Sequence, residues 1–204
     1  MLLEGKKFDL WMYLVCFGLE PMQAFAYWEG MVRMCTADYE APTKDNMWNT
    51  FMHLSNYSLN KENESFSKDL IGGSKWTLTS LLKNIESEEF KAKIWSSIDV
   101  CFWKTISALQ PFLLNLCESM VSQDPTTLPA KLLHIIGFDI MLDENQKAWL
   151  IEINNNPSMS IKHEHGFMDS KSSEPSPIDA EIKKPLLYHT IMAAWKFWKN
   201  TDFD

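Results

Sequence analysis

Asp139, Glu152 and Asn154 are the three side chains of this chain whose types and spacing best suit a hard metal cation. They lie in two apolar runs of period two, Gly137-Phe138-Asp139-Ile140-Met141-Leu142 and Trp149-Leu150-Ile151-Glu152-Ile153-Asn154. The polar link Asp143-Glu144-Asn145-Gln146-Lys147 between them predicts a β-hairpin. If Phe138, Ile140 and Leu142 share an apolar face with Trp149, Ile151 and Ile153, then Leu142 stands opposite Trp149, Ile140 opposite Ile151 and Asp139 opposite Glu152. Cross-strand partners have Cβ atoms about 4.5–5.5 Å apart, and two carboxylates at that distance repel unless a cation lies between them. Asn154 follows on the same face. An all-oxygen set of this kind suits Mg²⁺, which takes one or two carboxylates and completes its shell with water and phosphate oxygens. Spacing alone is equally consistent with surface carboxylates paired to nearby lysines.

The elements that must position these residues can be traced along the chain. Phe8, Leu10, Met12, Leu14 and Cys16 alternate with Lys7, Asp9, Trp11 and Tyr13, a strand with one buried face. Residues 22–36 read as a second hairpin turning at Glu29-Gly30, residues 37–49 as a loop, and residues 53–61 as a short strand leading into a loop. The polar stretch 62–74 reads as mobile. Thr77 is a candidate N-cap for a helix over 78–85. The recurrence Phe90, Ile94, Ile98, Phe102, Ile106, Leu109, Leu113, Leu116, Met120 predicts a longer helix, kinked or split at Pro111. Residues 122–129 read as a loop and 160–177 as an exposed loop or lid. A final helix from about Asp179 carries Ile182, Leu186, Leu187, Ile191, Trp195 and Trp198, with the two tryptophans expected in the core.

With 204 residues, 46% hydrophobic and 13% aromatic, the chain has the composition of a globular protein. No apolar run reaches membrane-spanning length and the first residues have no signal-peptide character, which predicts a soluble intracellular protein with no membrane partner. A net charge of −8 argues against nucleic acid. Cys16, Cys35, Cys101 and Cys117 are widely spaced and read as reduced core thiols. His163 and His165 form an H-x-H pair, but no accompanying ligand set makes a metal site of it.

The hairpin motif, with its Asn156-Pro157-Ser158 exit, resembles the metal-binding end of the tubulin tyrosine ligase-like family. Four further stretches resemble family signatures in family order: Lys6-Lys7-Phe8-Asp9-Leu10, Glu29-Gly30-Met31-Val32-Arg33, His53-Leu54-Ser55-Asn56-Tyr57-Ser58-Leu59-Asn60-Lys61 and Gly73-Ser74-Lys75-Trp76. The resemblance implies an α+β fold, ATP-grasp-like, in which an antiparallel sheet flanked by helices holds ATP and Mg²⁺. It implies one partial catalytic domain over 1–204, the carboxyl-terminal part, with the amino-terminal lobe absent.

By the same resemblance Asp139, Glu152 and Asn154 hold the metal, and Lys7, Asp9, Ser55 and Asn56 line the nucleotide site. Arg33 contacts phosphate or the acceptor carboxylate, and Lys61 stands near the acidic substrate. The implied reaction is ATP-dependent ligation of an amino acid to glutamate side chains of tubulin, with glutamate first, as in the polyglutamylating branch, and glycine second. The implied partners are tubulin or microtubules through their acidic tails and a free amino acid, in the cytoplasm and cytoskeleton, with cilium or basal body as the finer location. One departure stands out: the family continues Lys-Phe-Asp-Leu with arginine, and this chain has Trp11. An indole has one donor and no charge where arginine grips an anion with two parallel hydrogen bonds. With the absent lobe, this makes a non-catalytic tubulin-binding protein of the same fold, or an inactive fragment of such a ligase, an alternative reading, and a ligase for a small-molecule acid a third. Acidic tubulin tails call for a positive groove, which this acidic chain must form by local clustering or receive from elsewhere.

Overall fold

β1 (Phe8–Leu19) organises the fold because it buries both of its faces. The computed structural model describes residues 1–19, 21–68, 73–123, 133–165 and 172–200. On one side β1 pairs with β5 (Leu133–Leu142). On the other it pairs first with β2 (Met22–Ala26) and then with β3 (Met31–Met34). β4 (Lys75–Thr77) adds to β3 and β6 (Ala148–Asn154) to β5, so the antiparallel sheet runs β4-β3-β1-β5-β6. The α+β architecture of an antiparallel sheet flanked by helices agrees with expectation.

One face is closed by α3 (Leu78–Lys83) and α4 (Glu88–Gln123). Phe8, Leu10, Met12, Leu14, Phe138 and Ile140 pack there against Leu81, Ile94, Ile98, Phe102 and Ile106, each such side chain contributing about 1.5–3 kcal/mol. The Phe102 and Phe138 rings meet edge-to-face, 4.6 Å between centroids. On the opposite face α5 (Pro177–Asn200) sets Ile178, Ile182 and Leu186 over Tyr13, Val15, Phe17 and Met31. α5 therefore covers the far end of β1, and the near end, at Asp9, presents polar side chains. Burial pushes the Cys16 and Cys35 thiols up to about 11, as expected of inert core thiols.

Several expectations are corrected. Residues 22–36 are not a hairpin turning at Glu29-Gly30, because β2 and β3 both run antiparallel to β1 along the same edge. The chain breaks between them without reversing. Glycine is required at this break: a Cβ on Gly30 would lie 2.3 Å from Met12 Sδ and 2.8 Å from the Trp11 carbonyl oxygen. Buried Glu29 holds the break, accepting from the amides of Gly30 (3.0 Å) and Thr79 (3.1 Å) at the start of α3. Gly30→Ala is expected to cost about 1–3 kcal/mol by overpacking, read as a lower Tm.

Residues 53–61 form no strand. α1 (Thr50–His53) and α2 (Tyr57–Asn60) occupy that region. Buried Asn60 organises it: its Oδ1 accepts from the Thr36 amide and hydroxyl, both at 2.9 Å, and its Nδ2 donates to the carbonyls of Leu54 and Asn56. Thr77 caps α3 as expected, accepting from the Ser80 amide at 3.0 Å.

α4 continues through Pro111 to Gln123, so it is not split and the loop expected at 122 begins no earlier than 124. Ile94, Ile98, Phe102 and Ile106, the fully buried members of the periodic face, all precede Pro111; beyond it Leu113 is half-buried and Leu116 exposed, so the face outruns the sheet that it covers. In α5 Trp195 is 66% exposed, against the core expectation. Within 160–177 stand two paired strands, β7 (Lys162–His165) and β8 (Ser172–Pro175). The rest of the expected 122–129 loop, residues 69–72 of the stretch read as mobile, residues 166–171 and the side chain of Trp198 lie outside the described residues.

Candidate active site

Asp139 and Glu152 are direct cross-strand partners, and Gly137 pairs with Asn154, so the three oxygen donors occupy neighbouring positions along the β5–β6 ladder. The pairing expected beyond them does not hold. A bulge between Asp139 and Ile140 shifts the register by one, so that Ile140 faces Leu150 and Leu142 faces Ala148. The cause is the edge position of β6. Trp149 is 50% and Ile151 59% exposed, so no buried face of β6 dictates its register. Trp149 is held from the solvent side instead, donating to Asp143 Oδ2 at 2.9 Å beneath the Lys147 ammonium.

Arg33 joins the strands. Cross-strand pairing sets it beside Asp9, and its guanidinium donates from Nε to Asp9 Oδ1 (2.8 Å), from Nη2 to Asp9 Oδ2 and from Nη2 to Asp139 Oδ2 (2.8 Å). All three side chains are buried. Burial alone would drive the guanidinium towards neutrality, but the two carboxylates outweigh it and hold Arg33 charged. The Asp139 carboxyl lies above its ordinary range: burial raises it most, Arg33 opposes, and Asp9 and Glu152 push it further up. Among the described residues Asp139 Oδ1 is buried without a hydrogen-bond partner, a hard oxygen donor on the side chain opposite Glu152. Trp11, paired with Asp139, lays its ring over the Arg33 guanidinium at 4.7 Å and packs beside Gly137.

Residues 1–169 match the tubulin-tyrosine ligase family. The chain belongs to that family. It is 34% identical over 192 residues to tubulin polyglutamylase ttll6 of Danio rerio, covering 94% of this chain and 23% of that protein. To tubulin polyglutamylase TTLL11 of Homo sapiens it is 37% identical over 196 residues, 94% of this chain and 27% of that protein. To tubulin polyglutamylase TTLL7 of Homo sapiens it is 36% identical over 193 residues, 93% and 20%. The chain thus spans 20–27% of the length of these relatives.

In this tubulin-tyrosine ligase family chain the remaining sequence candidates stand on flanking segments. Lys7 donates to the His53 carbonyl at 2.7 Å, tying the start of β1 to α1. Ser55 is buried and Asn56 exposed at the start of α2, and neither hydrogen-bonds to the Asp9–Arg33–Asp139 cluster. The Lys61 ammonium lies 5.7 Å from the centre of the Tyr57 ring. Buried His163 hydrogen-bonds Tyr57 at 2.8 Å through Nδ1, and the His165 side chain lies outside the described residues. Among the described residues no three His, Cys, Asp or Glu side chains form a metal-binding group, so the candidate donor set is two carboxylates and an amide.

The family chain holds a second buried ion cluster that sequence reasoning missed. Asp179 Oδ2 accepts from Lys75 Nζ (2.8 Å) and the Ser176 hydroxyl, and its Oδ1 pairs with Lys183 Nζ (2.6 Å). Burial raises the Asp179 carboxyl, but the two ammonium groups outweigh it and hold it below its usual range. Lys75 is lowered, by burial first, with Asp179 opposing. Two signals were available: the i,i+4 spacing of Asp179 and Lys183 on a helix, and Lys75 inside the quoted Gly73-Ser74-Lys75-Trp76 motif.

Proposed function

We propose that this chain carries the nucleotide- and metal-binding face of an ATP-dependent carboxylate–amine ligase that adds glutamate to glutamate side chains of tubulin. The observation that carries the reading is the meeting of Asp9, Arg33, Asp139 and Glu152, from four strands, on one sheet face. The polyglutamylase names of its relatives supply the substrate class. The residues present fit Mg²⁺: hard oxygen donors from Asp139, Glu152 and Asn154, with Asp139 Oδ1 without a hydrogen-bond partner among the described residues. Bound there, Mg²⁺ would neutralise charge on the phosphates.

In this reading a substrate carboxylate attacks the γ-phosphorus and ADP leaves. An amine then attacks the acyl carbon, losing a proton as phosphate departs. The chain's part is positioning and electrostatics. Arg33, turned from Asp139 towards the phosphoryl oxygens, stabilises their charge; Lys7, Ser55 and Asn56 border the nucleotide; Lys61 meets the acidic acceptor. The protein acts at microtubules, with cilium or basal body as the finer location.

A second reading, a tubulin-binding protein without transfer activity, is favoured by one observation: Trp11 caps Arg33 where the family's arginine would add a second phosphate grip. Mass spectrometry of tubulin tails after incubation with the chain, ATP and glutamate separates the two. Stepwise gains of glutamate support the ligase. Unmodified tubulin that nonetheless co-sediments with the chain supports the second reading.

A further inference from the structure

Trp11 stands at the centre of the polar face of the sheet. Asp9 and Tyr13 are its neighbours along β1 on that face, and Met31 and Asp139 are its cross-strand partners. The indole reaches across the face. Its ring centre lies 4.7 Å from Arg33 Cζ, and its Cζ2 would stand 3.4 Å from a Cβ built on Gly137, the partner of Asn154. An indole carries no charge, so the middle of this face is uncharged while its surroundings are acidic. Asp9, Asp139 and Glu152 share the face with one guanidinium, that of Arg33, which directs its donors to Asp9 and to Asp139 Oδ2. Asp139 Oδ1, on a side chain 5% exposed, has no hydrogen-bond partner among the described residues. Lys75, the cross-strand partner of Arg33, turns away to Asp179. Three carboxylates to one guanidinium leave two negative charges in excess.

We infer that Trp11 sets the order of binding at this site: by keeping positive charge out of the centre of the face, it lets Asp139 and Glu152 take a divalent cation before any nucleotide arrives. The inference rests on the metal assignment of the ligase reading and adds the sequence of events to it. Two negative charges in excess attract a divalent cation whether or not phosphates are present, and a cationic side chain at position 11 would cancel half of that excess. The ring also keeps water from the buried Asp139 carboxylate, and electrostatic attraction strengthens as the local dielectric falls. The same excess repels the phosphates of a nucleotide until the cation has cancelled it, so the nucleotide comes second.

The test is calorimetric titration of Mg²⁺ alone into the 204-residue chain, without nucleotide, and into Trp11→Met and Trp11→Lys, two side chains of similar length that differ in charge. The unaltered chain is expected to bind Mg²⁺, Trp11→Met to bind it with an affinity close to that of the unaltered chain, and Trp11→Lys to bind it on the order of tenfold more weakly than Trp11→Met. Binding is expected to be lost in Glu152→Gln. Equal affinity of Trp11→Met and Trp11→Lys overturns the inference, because the shape change is common to both and only the charge differs. Should Trp11→Lys fail to fold, the unaltered chain decides: Mg²⁺ taken up only together with ATP overturns the order of binding and leaves the ligase reading standing. Uptake that survives Glu152→Gln lies elsewhere on this acidic chain and also overturns it. A chain that binds neither Mg²⁺ nor ATP, separately or together, sinks the ligase reading as well.

Discussion

Replacing Arg33 by methionine is expected to destabilise the fold by about 3–5 kcal/mol, the cost of leaving buried carboxylates without their counter-ion. Asp9 and Asp139 are 7% and 5% exposed and share one guanidinium, so water cannot take its place without opening the sheet. One outcome follows directly: much of the loss should be recovered when Asp9→Asn and Asp139→Asn accompany Arg33→Met, because neutral amides need no counter-charge. Chemical denaturation of the single and triple variants measures this. A single variant as stable as the unaltered chain would show that the cluster is not a buried ion network.

Glu152→Gln is expected to behave in the opposite way. Glu152 is exposed on an edge strand and its charge pushes up the Asp139 carboxyl. Removing that repulsion should leave stability unchanged or raise it by ~0.2–1 kcal/mol. Ligation, if Glu152 holds the metal, should fall by about 100–1,000-fold, the scale typical of losing one preorganised electrostatic group. A protein that melts no lower yet transfers no glutamate separates a ligand from a structural residue; loss of both together would make Glu152 structural.

The parts of the site legible in the sequence were those where alternation meets burial. Phe138, Ile140 and Leu142 are buried on one face, so Asp139 had to face the other way, and β1 placed Asp9 by the same rule. The β6 half of the pattern misled, since its apolar side chains are exposed; the Asp139–Glu152 pair is found as expected because it precedes the bulge. Glu29-Gly30 reads as a turn locally, and only the Trp11 carbonyl oxygen and the Met12 sulfur, both supplied by β1, show why glycine stands there. The Thr36–Asn60 and Lys75–Asp179 contacts join residues 24 and 104 positions apart, and no local pattern records them; only the Asp179–Lys183 half of its cluster, at i,i+4 on a helix, was legible. Trp195 fits a helical apolar period, but the period cannot tell a covered face from an open one.

The most direct measurement is calorimetric titration of ATP into the unaltered chain and Glu152→Gln, each with and without Mg²⁺. The account predicts binding that requires Mg²⁺ in the unaltered chain and is lost in Glu152→Gln at unchanged Tm. ATP binding indifferent to both Mg²⁺ and Glu152, or no binding by the unaltered chain, would contradict it.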